Sequence, residues 1–67
     1  MNKKGILEEI EIQAVVVIRY SGWKSERTKR LYELAVERYK GMVAIARLAG
    51  ITDTEIEEVK ESARAKA

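Results

Sequence analysis

The segment of residues 42–60, MVAIARLAGITDTEIEEVK, closes one helix and opens another within a few residues. Gly50 follows the apolar run Ile45, Ala46, Leu48, Ala49. A glycine just past a helix end takes the left-handed backbone at little cost. Ile51 stands where a Schellman ending places its hydrophobic contact. Thr52 and Glu55 have the T-x-x-E spacing of a capping box, so hydroxyl and carboxylate can satisfy free amides reciprocally. Ile51 before that cap and Ile56 four residues into the next helix have the spacing of a hydrophobic staple. Stop and start agree on one boundary.

On Ile45, Ala46, Ala49, Gly50, Ile51, Ile56 and Val59 the segment resembles the helix-turn-helix family. By that resemblance Ala46 lets two helices approach, Gly50 makes the turn, and Ile56 and Val59 seat the second helix. The second helix would then be the recognition helix, with Asp53, Thr54, Glu57, Glu58 and Glu61 facing outward. The family normally places donors there, because phosphates and base edges are read by Arg, Lys, Gln, Asn, Ser or Thr. Here most of these positions are carboxylates, which only accept hydrogen bonds when ionised and are repelled by phosphate. Such charges also have an ordinary structural use. Asp53, Glu55, Glu57 and Glu58 come early in the helix and Lys60, Arg64 and Lys66 late. The macrodipole favours that order by roughly 0.3–1 kcal/mol per well-placed charge.

Working back along the chain, Ser21-Gly22 breaks it and Ser25 is the predicted N-cap of a helix opening at Glu26. Leu31, Leu34, Ala35, Met42, Ile45 and Ala49 follow helical spacing, so they are the expected buried stripe. Gly41 lies inside this helix. Its cost against alanine is about 1 kcal/mol, and no N-cap residue follows it, so one long helix over 25–49, straight or kinked, is expected, the alternative being a split near Lys40-Gly41.

Residues 6–20, ILEEIEIQAVVVIRY, admit two readings. Leu7, Ile10, Ala14, Val17 and Ile18 form a helical face, whereas Ile10, Ile12, Ala14, Val16, Ile18 and Tyr20 alternate as in a strand. The β-branched content suits a strand. No second strand is visible, and a lone strand leaves its backbone groups unpaired. A helix is the expected state. The alternative is an intermolecular strand over 9–20, as in a ribbon-helix-helix-like dimer.

Sixty-seven residues, 46% hydrophobic and 36% charged, fit a single globular domain over 1–67. A chain this small buries only about 60% of its unfolded surface. With neither cysteine nor histidine it has no disulfide and no structural zinc of the common kinds. Self-association is the remaining common route to stability, so a homodimer or larger homo-oligomer is expected. The longest apolar run, Ala14–Ile18, falls far short of the ~20 residues that span a bilayer. Glu8, Glu9 and Glu11 interrupt what a secretory leader would keep apolar. A cytoplasmic protein is the expectation.

The formal net charge of +2 is too small to imply a polyanionic partner, but it is unevenly spread. Residues 23–50 carry seven basic against three acidic groups, and residues 51–67 carry three against five. The basic part begins with Trp23, Lys24, Ser25, Glu26, Arg27, Thr28, Lys29 and Arg30. Cations in the first turns of a helix oppose its dipole. Pairs at i, i+4, Glu26 with Arg30 and Lys29 with Glu33, would offset part of that cost. The remainder suggests a function: Trp23 as a stacking face and the cations as a clamp for phosphate or carboxylate. Equally, Trp23 could close the core and the cations keep the surface solvated.

Catalysis is poorly supplied. The usual general base and the best nucleophile are missing, and Ser21, Ser25 and Ser62 have no evident activating partner. No phosphate-binding glycine loop or EF-hand spacing is present. The expectation is therefore an all-α, small three-helix domain with helices near 6–20, 25–49 and 53–66 and a helix-turn-helix-like final hairpin. It would be a non-enzymatic regulatory or adaptor protein without cofactor or metal, acting on a protein partner. Its candidate residues are Trp23, Lys24, Arg27, Lys29 and Arg30 on one side and Thr54, Glu57, Glu58 and Glu61 on the other. Nucleic acid is the alternative partner, in a DNA-binding regulator, and no membrane is expected.

Overall fold

In the computed structural model, which describes residues 2–67, the chain forms three α-helices: α1 Lys3–Tyr20, α2 Glu26–Leu48 and α3 Asp53–Lys66. No strand occurs among the described residues, so the ribbon-helix-helix alternative is corrected. The helix wins over 10–18 for reasons of magnitude. Helix propensity costs a β-branched residue at most about 0.7 kcal/mol. Burying an isoleucine side chain returns about 1.5–3 kcal/mol. As a helix, α1 buries Ile6, Ile10 and Ala14 on one face. It also begins earlier than the expected residue 6, because the Asn2 side chain caps it by accepting from the Gly5 amide at 2.7 Å.

α1 ends where the Ser21 hydroxyl donates to the Ile18 carbonyl at 2.8 Å. Ser25 then caps α2, its Oγ accepting from the Thr28 amide at 3.3 Å while Thr28 Oγ1 accepts from the Ser25 amide at 3.3 Å. From there α2 runs unbroken through Gly41. It closes in a full Schellman motif: Gly50 has φ 85°, its amide donates to Arg47 at 3.1 Å, and Ile51 donates to Ala46 at 3.0 Å. The capping box follows at once, Glu55 donating its amide to Thr52 Oγ1 at 3.3 Å and accepting from the Thr52 amide at 3.2 Å. Ile51 and Ile56 are both buried, as the staple requires.

α1 and α2 form an antiparallel hairpin, and α3 returns alongside α1. Lys3 pairs with Glu55 at 2.5 Å and Lys66 pairs with Glu11, so α3 runs parallel to α1. The core lies where the α2–α3 turn closes on the start of α1. Ile6, Ile10, Ala46, Ile51 and Ile56 form it, with Leu7, Tyr39, Met42, Val43 and Val59 packed around them. Four of the eight buried apolar residues are alanines, so large apolar volume is scarce. The expected α2 stripe needs correction. Ala35 is buried and Met42 half-buried, but Leu31, Leu34, Ile45 and Ala49 are exposed, while Ala46 faces the core. The inward face of α2 is turned toward Tyr39, Val43 and Ala46, which join the cluster of Ile6 and Ile10 from α1 with Ile51 and Ile56.

Candidate functional site

The two groups of candidate residues lie at opposite ends of α2. Trp23, Lys24, Arg27, Lys29 and Arg30 stand where α2 begins, and α3 starts beyond its far end. Twenty-three residues at ~1.5 Å each separate those ends by about 34 Å, close to the 37 Å long dimension of the molecule. They are two surfaces rather than one site.

At the α2 start, Trp23 keeps 41% of its surface exposed and lies outside the core cluster. The Lys29 ammonium stands over its ring, 5.2 Å from the centroid, so Lys29 turns to the indole. Lys24, Arg27 and Arg30 are exposed. The expected Glu26–Arg30 and Lys29–Glu33 pairs do not form among the described residues. This end therefore carries Lys24, Arg27 and Arg30 at the positive end of a helix dipole, with Glu26 the acidic residue of that first turn and no ion pair formed there among the described residues.

On α3, Ile56 and Ala63 are buried and Val59 is half-buried against α1, which turns Thr54, Glu57, Glu58 and Glu61 outward. Lys60 pairs with Glu57 at 3.1 Å, Arg64 pairs with Glu61, and Arg47 approaches Asp53 at 3.6 Å. Glu58 has no ion-pair partner among the described residues. The Lys60 ammonium is held above the usual lysine range by its hydrogen bond to Glu57. Its position 6.0 Å from the Tyr39 ring centroid keeps it at the helix flank. The outcome is a row of carboxylates edged by cations.

Two features of this surface are not apparent from residue order alone. One is an open cleft between α2 and α3, lined by Tyr39, Lys40 and Arg47 of α2 and by Asp53, Glu57 and Lys60 of α3. The Tyr39 hydroxyl is buried without a hydrogen-bond partner among the described residues. Residue order carries no signal for this cleft, since Tyr39 and Lys40 become its wall only when α3 returns. The other is a row of exposed leucines and isoleucine along α2, Leu31, Leu34, Ile45 and Leu48. Among the described residues no cluster of three or more Asp, Glu, His or Cys is placed to hold a metal ion. No helix among them is long and apolar enough to cross a membrane. No protein-family model, no curated protein and no solved structure matches the chain.

Proposed function

We propose that this protein is a non-enzymatic regulator or adaptor that binds a protein partner through the outward face of α3. One observation carries this reading: Thr54, Glu57, Glu58 and Glu61 are all exposed on a helix whose opposite face is pinned by Ile56, Val59 and Ala63. A face held in place before binding loses little conformational freedom on association. Its carboxylates accept charge-assisted hydrogen bonds from Arg and Lys, so the fitting partner presents a basic helix or basic patch. The turn at Gly50 resembles that of a helix-turn-helix, which suggests a setting in transcription control. In that setting the acidic helix would engage a protein, since phosphate repels it.

The test is affinity purification from the native host with the wild-type chain, a Glu57→Gln/Glu58→Gln/Glu61→Gln variant and an Arg27→Ala/Arg30→Ala variant. A partner captured by the wild type and the arginine variant, and lost from the glutamine variant, supports the reading. Equal capture by all three rejects it. The exposed Lys24, Arg27 and Arg30 beside Trp23 favour a second reading, a DNA-binding regulator that grips phosphate at the start of α2. Fluorescence anisotropy with duplex DNA at low salt separates the two. Weak binding indifferent to sequence is the expected result, and a tight, site-selective complex would replace the first reading with the second.

A further inference from the structure

Leu31, Leu34, Arg38, Gly41, Ile45 and Leu48 succeed one another at intervals of three, four, three, four and three residues, the seam of a coiled coil. All six are exposed. The seam is distinct from the side of α2 that packs into the domain, where Ala35, Tyr39, Val43 and Ala46 lie. Exposure reaches 41% at Leu31, 49% at Leu34, 47% at Ile45 and 90% at Leu48, so four large apolar residues on one helix keep much of their surface in solvent.

The seam is also self-complementary. Turned end for end about a point midway between Tyr39 and Lys40, it sets Leu31 against Leu48, Leu34 against Ile45 and Arg38 against Gly41. Each apolar position meets an apolar position. The longest side chain of the row meets the one residue with no side chain, and an added Cβ at Gly41 would find nothing within 4 Å among the described residues. Charge agrees with shape. In that arrangement Arg27 and Arg30 of one copy come level with the C-terminal end of α2 in the second copy, where the helix dipole is negative. The cations that oppose the dipole of their own helix are thereby balanced by that of another. A parallel pairing gives neither match, because it stacks Arg38 on Arg38 and keeps the basic ends together.

We infer that two copies of this chain associate through α2 as an antiparallel, two-fold symmetric helix pair centred between Tyr39 and Lys40. The α3 face and its carboxylates stay outside this seam, so the inference stands apart from the proposed partner.

The chain has no cysteine of its own, which permits a clean cross-linking test. Leu34→Cys and Ile45→Cys variants are prepared separately, mixed and oxidised. In the antiparallel pair the thiol introduced at position 34 of one copy faces the thiol introduced at position 45 of the other. A disulfide-linked dimer is therefore expected from the mixture. Each variant alone should not cross-link, because the eleven residues between the two levels place like thiols about 16 Å apart. Sedimentation equilibrium should show a dimer for the wild type. Leu34→Glu should weaken association by about 30-fold or more, the scale for a charge placed in an apolar interface centre, with far-UV circular dichroism unchanged. A monomeric wild type at micromolar concentration, or cross-linking of the Leu34→Cys variant to itself, would overturn the inference.

Discussion

The amide of Ile51 donates to the carbonyl of Ala46 across 3.0 Å, joining two residues that are both buried in the same core cluster. Together with the bond from the Gly50 amide to Arg47, it ends α2 at the Gly50 turn and delivers the staple residue to the interior. Local chain geometry and tertiary packing coincide at this pair.

Substituting Gly50 tests that coincidence. Its φ of 85° lies in the left-handed region, and an added Cβ would meet no neighbour within 4 Å among the described residues. The penalty for Gly50→Ala is therefore backbone strain alone, about 1–2 kcal/mol, read as a lower urea midpoint with an unchanged slope. Gly50→Asn should cost less. Gly41→Ala has the opposite sign, a gain of about 0.5–1 kcal/mol, because Gly41 is helical. It is best measured in the Leu34→Glu background, so that self-association does not enter. Equal losses at both glycines would refute the argument.

The caps make a second prediction. Thr52→Ala removes the Oγ1 that accepts from the Glu55 amide at 3.3 Å and should lower stability by about 1 kcal/mol. Ser25→Ala removes the equivalent acceptor for Thr28 and should cost a similar amount. Hydrogen exchange should tell the two apart: the first frays the start of α3, the second the start of α2. Uniform loss of protection along the chain would show that the caps act only through global stability.

Core truncation should be disproportionate. Ile10 is fully buried, and Ile10→Ala should cost about 2–5 kcal/mol. A domain of this size has a total stability of the same order, so the variant is expected to be largely unfolded at room temperature. Leu48→Ala, at the most exposed large apolar residue, should stay within about 0.5 kcal/mol when measured in the Leu34→Glu background. Thermal melts of the two variants decide this, and comparable shifts would contradict the assigned core.

Acid should loosen the α1–α3 contact. Hydrogen bonding from Lys66 holds Glu11 below the usual glutamate range, with Ser62 adding to the effect. Glu55 is lowered by Lys3 first and by the Thr52 backbone next. A carboxylate whose pKa is lower in the folded than in the unfolded chain stabilises the fold fully above the unfolded value, about 4.3. That stabilisation disappears as pH falls through the lowered folded value. The melting temperature should therefore hold steady near neutrality and drop below about pH 4. A Glu11→Gln/Glu55→Gln variant should show a shallower drop. The lysine partners of both carboxylates are exposed, so added salt should also flatten the curve.

Much of this molecule is legible in residue order, and the legible part is local. Ser25, Gly50 and the Thr52–Glu55 pair are readable because a cap or a Schellman turn is satisfied within six residues and needs nothing from the rest of the fold. Thr54, Glu57, Glu58 and Glu61 are placed outward for the same reason, since Ile56 and Val59 define the inner face of a short helix. The tertiary structure decided the remainder. α2 carries two apolar stripes side by side, and spacing alone cannot say which one meets α1. The packing of α1 and α3 buried Ala35 and Ala46 and left Leu31, Leu34, Ile45 and Leu48 outside. Likewise α1 became a helix despite its β-branched run, because burying Ile6 and Ile10 against Ala46, Ile51 and Ile56 outweighs a propensity cost spread thinly over single residues. Short-range hydrogen bonds set where each helix starts and stops, whereas the side it turns inward depends on partners brought from elsewhere in the chain.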